Sequence, residues 1–149
     1  MTPLCTVGYE GRVAEELIDL LVEHEIQLVV DVRELPLSRK KGFSKTTLCS
    51  HLEEAGVSYR HMRALGNPKY LRQALKSGLD FEEFAVGFRE LLANQVDAIE
   101  ELGEAATSYR VCLLCFEADP EQCHRSIVAD CVVNLVGNEL QVVHLGSAC

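Results

Sequence analysis

The densest run of chemically capable side chains is Cys115-Phe116-Glu117-Ala118-Asp119-Pro120-Glu121-Gln122-Cys123-His124-Arg125. A cysteine near a helix N-terminus and beside an arginine loses its proton more readily, because both stabilise a thiolate. Cys115 or Cys123 is therefore a candidate reactive or substrate-contacting thiol, with His124 or His61 placed to assist it. Arg125 can clamp a phosphate or carboxylate through two parallel N–H groups. The same donors, Cys115, Cys123 and His124 with Glu117 or Asp31, are also acceptable to Zn²⁺. A reactive thiol ranks above a metal here, and burial or helix capping ranks above both for any single cysteine. Cys112 and Cys115 are spaced like half a zinc site, but within one strand residues three apart face opposite sides. Cys5, Cys49, Cys131 and Cys149 read as core or bystander residues.

Three further groups fall where strands should end. Gly8-Tyr9-Glu10-Gly11 allows a tight turn, and the helix beyond it offers unpaired N–H groups to an anion; a plain turn is the alternative. Asp31 and Arg33 point the same way from a strand, followed by Pro36, Ser38 and Arg39. Asp31 either acts as a base, orients Arg33, or forms a structural ion pair with it. Tyr59 and His61 also share a face, and a histidine titrates nearest neutrality, which suits proton transfer.

These residues need elements to carry them. Residues 4–8 read as a first strand, and Ala14, Leu17, Ile18 and Leu21 form the stripe of an amphipathic helix. Residues 26–32 are a nearly continuous apolar run, the mark of a strand buried on both faces. A basic loop spans residues 36–43. Ser44 can cap a helix that carries Leu48 and Leu52 and stops at Gly56. Residues 57–61 make a short third strand, and 62–79 are irregular or hold a short helix after Pro68. Asp80 and Glu83 have the spacing of a capping box ahead of one long helix with Phe81, Phe84, Phe88, Leu91, Leu92, Ile99 and Leu102. Residues 110–116 form a fourth strand. A loop through Asp119 and Pro120 leads to a helix with Ile127, Val128, Cys131, Val132 and Leu135, and residues 140–145 close with a fifth strand.

This order predicts an α/β fold, a three-layer, doubly wound, mainly parallel five-stranded sheet of Rossmann-like type in a single domain over 1–149. Ligands of such sheets bind outside the carboxyl ends of the strands. The groups above are therefore expected to meet at one rim.

Composition narrows the class. The chain has 149 residues, 48% hydrophobic and 25% charged, which suits a globular core and excludes disordered, fibrous and disulfide-stapled classes. No apolar run reaches the roughly 20 residues of a membrane helix, and residues 1–12 lack the pattern of a signal peptide, so a cytoplasmic protein with reduced thiols is expected. The formal net charge of −9 opposes bulk nucleic-acid binding. Yet residues 33–76 hold ten of the fourteen Lys and Arg against three acids, which points to a local anion-attracting surface; a solvated face paired with acidic helices is the alternative.

Taken together, Thr6-Val7-Gly8-Tyr9-Glu10-Gly11, Val30-Asp31-Val32-Arg33 with Pro36, Ser38-Arg39 and Phe43, Tyr59, His61, Leu65-Gly66, and Leu113-Leu114-Cys115-Phe116-Glu117 with Cys123-His124-Arg125 resemble the domain of unknown function 488 family. The motifs span nearly the whole chain in order. Glu10 stands where that family often has a serine. The resemblance implies a compact α/β domain and carries no activity with it.

The function expected from the residues is an enzyme acting on an anionic substrate: a nucleotide, nucleic-acid base or phosphorylated metabolite. Arg33, Arg39 and Arg125 would hold the anion, with Gly8, Tyr9, Ser38, Tyr59 and His124 around it. Cys115 or Cys123 would be the thiol, and Asp31, Glu117 and His61 the proton-transfer groups. A non-catalytic module binding nucleic acid or an acidic partner through residues 33–76 is the first alternative, and a Cys/His metal-binding protein the second.

Overall fold

The computed structural model describes residues 2–137 and 139–146, so Cys149 lies outside the described residues. The strands are β1 (Thr2–Gly8), β2 (Leu28–Asp31), β3 (Ser58–His61), β4 (Val111–Cys115) and β5 (Leu140–His144). The helices are α1 (Ala14–Glu23), α2 (Lys45–Glu54), α3 (Lys69–Lys76), α4 (Phe81–Leu92), α5 (Val96–Ser108) and α6 (His124–Val136). All four strand pairings are parallel, in the order β3-β2-β4-β1-β5. No described helix is long and apolar enough to cross a membrane.

Parallel strands need crossovers, and their helices cover both faces of the sheet. Leu17 and Leu21 of α1 and Leu48 and Leu52 of α2 pack on one face with Cys5, Val7, Val29, Cys112 and Leu114. Helices α4, α5 and α6 cover the other, where Leu4, Val30, Leu113 and Cys115 meet Phe84, Phe88, Leu102, Ile127 and Val128. Cys112 and Cys115 thus belong to different cores, as strand alternation requires. The chain steps from β1 outward to β2 and β3 beneath α1 and α2, then returns to β4 and passes to β5 on the opposite face. Loops leaving the adjacent strands β1 and β4 therefore diverge to opposite faces. This is the switch point at which doubly wound sheets bind ligands.

Three local expectations need correction. The single long helix is two, α4 and α5, with a break at residues 93–95. Asn94 is a weak helix former whose short polar side chain competes for backbone groups, and the turn lets Ile99 and Leu102 reach the same core as Phe84 and Phe88. Ser44 precedes α2 without a side-chain cap; its hydroxyl instead accepts the Ser38 N–H at 3.0 Å and donates to the Ser38 carbonyl at 3.1 Å, pinning the basic loop. Asp80 likewise makes no side-chain cap to α4. Gly56, at φ +78°, takes the left-handed turn expected after α2.

Candidate functional site

At the switch point β1 and β4 stay zipped past their ends. Tyr9 N donates to the Cys115 carbonyl at 3.1 Å and Glu10 N to that of Phe116 at 2.8 Å. A Cβ on Gly8 would lie 1.8 Å from the Glu117 carbonyl oxygen, so only glycine lets the two loops touch. The Glu10 carboxylate accepts the Ala118 N–H at 3.0 Å and holds the second loop down. Tyr9 is buried, stacked on Phe43 at 4.4 Å with Phe116 edge-on at 5.4 Å. The α1 N-terminus is answered from within, since Glu16 accepts the Val13 N–H at 2.9 Å.

The expected site residues form two constellations on opposite faces of the sheet. On the α1/α2 side, Asp31 is fully buried and bound by both arms of Arg33, at 2.9 Å to Nε and 2.7 Å to Nη2. Asp31 also accepts the Arg33 N–H at 3.1 Å and the Tyr59 hydroxyl at 2.5 Å. Burial, then the bond to Asp31, raises the Tyr59 pKa. Burial opposes the Arg33 charge, but the Asp31 carboxylate outweighs it and holds the guanidinium protonated. Arg33 also donates to the Phe43 carbonyl at 2.6 Å and the Tyr9 hydroxyl at 3.3 Å. His61 Nε2 lies 2.7 Å from the Arg33 carbonyl, to which it donates. Arg33 and Asp31 thus spend most of their bonding capacity on one another and on the fold.

On the other face, the Cys115 and Cys123 sulfurs are joined in a disulfide, with their Cα atoms 7.7 Å apart. Arg125 is 1% exposed. It donates to Thr6 Oγ1 at 3.1 Å, Cys115 Sγ at 3.2 Å, the Glu117 carbonyl, and the Ala118 carbonyl at 3.3 Å. Those bonds make it a clamp on the β4–α6 loop, facing protein acceptors. His124 Nε2 donates to the Val32 carbonyl at 2.6 Å, leaving Nδ1 unprotonated 3.8 Å from Cys123 Sγ. Burial lowers its pKa to about 4, so the ring is neutral at pH 7. The Glu117 carboxyl lies 3.5 Å from Cys115 Sγ, and burial raises its pKa. Cys115 Sγ, Cys123 Sγ and a His124 ring nitrogen all fall within 4.8 Å of one another, so these three could share a metal ion.

A cavity of about 490 Å³ opens at this rim, and it draws on both constellations. Tyr9 and Arg33 reach it from one face, Cys115, Glu117 and His124 from the other, and Ser38 from the basic loop. Asp31, Tyr59, His61, Cys123 and Arg125 do not line it, and Arg39 is exposed on the loop without lining it. Sequence reasoning missed Asn67, Arg72 and Lys76, which close the cavity from the α3 side. Arg72 donates to Glu34 at 2.7 Å and to the Asn67 carbonyl at 2.6 Å. Asn67 is 7% exposed, and its buried Oδ1 has no partner among the described residues. One signal was in the sequence: Arg72 and Lys76 are four apart on the helix after Pro68, and so share a face.

A family model described as Domain of unknown function DUF488 matches residues 13–132, from the residue before α1 into α6. Neither a curated protein nor a solved structure matches the chain.

Proposed function

The chain belongs to the domain of unknown function DUF488 family, and from that premise we propose that it is an enzyme acting on a small anionic molecule held in the rim cavity, with Cys115 as the reactive group. The carrying observation is the cavity itself, which is lined by Cys115 and Glu117 together with Arg72 and Lys76 of α3. Its volume falls within the range of roughly 300–1,000 Å³ usual for small-ligand sites, enough for a nucleotide or a phosphorylated metabolite.

Each wall has a task in this reading. Lys76 and Arg72 supply positive potential, and the unpartnered Asn67 Oδ1 can accept a hydrogen bond from a donor on the ligand. In the reduced pair, the Arg125 N–H directed at Cys115 favours its thiolate. Glu117, held protonated to higher pH by burial, can return a proton to a leaving group. Cys123 lies behind as the second thiol, the partner of Cys115 in the disulfide. The anion falls first to Lys76, because Arg33 and Arg125 direct their bonds into the fold and Arg72 Nη1 is held by Glu34 and the Asn67 carbonyl.

The test is calorimetric titration of the reduced protein with a nucleoside monophosphate and with inorganic phosphate. Binding of either, weakened about tenfold or more by Lys76→Glu and unchanged by Lys41→Glu on the exposed loop, supports the assignment. Equal binding by both variants, or no binding of either anion, contradicts it.

A further inference from the structure

We propose that the chain, once its Cys115–Cys123 disulfide is reduced, binds one zinc-type divalent cation through Cys115 Sγ, Cys123 Sγ and His124 Nδ1, with the fourth position open to the rim cavity. Two thiolates and an imidazole are the donor set zinc prefers, and three protein ligands with an open fourth place is the pattern of its reactive sites.

Several independent features converge on this ion. The three donors already lie within 4.8 Å of one another and are buried, so little reorganisation is needed. The tautomer of His124 is set from outside: the Val32 carbonyl takes the proton on Nε2, and Nδ1 turns its lone pair to the sulfurs. A ligating histidine whose other nitrogen donates to a backbone carbonyl is the usual outer-shell arrangement of metal sites. The Cα atoms of the two cysteines stand 7.7 Å apart, beyond the roughly 4.4–6.8 Å span of most disulfides, so the sulfurs can part around an ion once their bond is reduced. Arg125 offers an N–H to Cys115 and Glu117 brings a carboxyl to 3.5 Å of the same sulfur. Two thiolates neutralise the dication, and these two groups balance one another when Glu117 is ionised.

The chemistry closes without an unnamed reagent. An added dithiol such as dithiothreitol gives two electrons and two protons to the disulfide and is itself oxidised to a disulfide. The dication then displaces one proton from each thiol, forming two metal–sulfur bonds and releasing two protons to buffer. The disulfide, the free Cys115 thiol of the function proposed above and the ion are mutually exclusive states of the sulfur pair. The three protein ligands stand whether or not the cavity takes an anion; only the open fourth position rests on the function proposed above.

Anaerobic titration of the reduced, desalted protein with Co²⁺ is the test. The expected result is saturation at one ion per chain, with thiolate-to-cobalt charge-transfer absorption and the intense visible bands of a tetrahedral ion. Zn²⁺ should displace the cobalt and bleach both. Cys123→Ser and His124→Gln should weaken binding at least about tenfold, and Cys49→Ser, on α2, should not. Absence of the thiolate band in folded wild type overturns the site even if a variant fails to fold, and so does an undiminished band in Cys123→Ser. Inorganic phosphate added to the cobalt protein should shift the visible bands. Unshifted bands would overturn the open fourth position alone, while loss of phosphate binding with the bands intact would overturn the anion reading and leave the metal site standing.

Discussion

Asp31 shows what a single residue decides in this protein. Its carboxylate sits at 0% exposure and accepts from Arg33 and Tyr59. A buried ion pair contributes modestly as a unit, but removing one partner strands the other without water. Asp31→Ala should therefore cost about 3–5 kcal/mol of stability, because Arg33 is left charged at 6% exposure. Tyr59→Phe removes only one donor to that carboxylate and should cost about 1.5–3 kcal/mol. Urea unfolding monitored by circular dichroism checks both. A cost for Asp31→Ala no larger than that for Tyr59→Phe would contradict the account of Asp31 as the partner that keeps Arg33 buried. The sequence offered ion pair and general base as equal readings, since two residues on one strand face look the same in either role. The distinction lies in Tyr59 and Phe43, which arrive from other segments.

Elements were legible where periodicity was strong. The five strands and the stripes of α1, α2 and α6 follow from runs of Val, Leu and Ile that have no other way to be buried. The break between α4 and α5 was hidden because Ile99 and Leu102 extend the apolar spacing of Phe84 and Phe88, and only Asn94 marks the turn. Capping patterns misled at Ser44 and Asp80, where tertiary partners or solvent took the side chain. Gly8-Tyr9-Glu10-Gly11 read as a turn that could receive an anion, whereas Gly8 ends β1 against the backbone of the loop after β4. Gly8→Ala should part the two loops and destabilise the chain by about 1–3 kcal/mol, the usual cost of overpacking. The same urea experiment measures it, and a neutral substitution would contradict the close approach of β1 to Glu117. Gly11→Ala is a useful companion, since at φ +80° it meets open space and tests backbone strain alone.

At the scale of the whole molecule, strand order predicted the rim on which polar groups collect, but strand register decided how they divide. Asp31 pairs with Leu114 and with His61 across the sheet, so all three point to the α1/α2 face, and Cys115, one residue on, points to the other. Register is set by packing that a single sequence does not display, and the expected common crevice was consequently too simple: part of it is cavity wall and part is support. The charge pattern was more informative than any one motif. A body of net charge −9 places its basic stretch where Arg72 and Lys76 overlook the cavity. The local field at Cys115 should therefore oppose that of the molecule as a whole. The most direct measurement is the rate of alkylation of reduced Cys115 by iodoacetate against neutral iodoacetamide, read by peptide mass mapping. Cys49, 3.5 Å from the Glu53 carboxylate, is the internal reference. The account predicts a higher iodoacetate-to-iodoacetamide ratio at Cys115 than at Cys49, lowered by Lys76→Glu. A ratio at Cys115 equal to or below that at Cys49, or a Cys115 that neither reagent reaches, would contradict it.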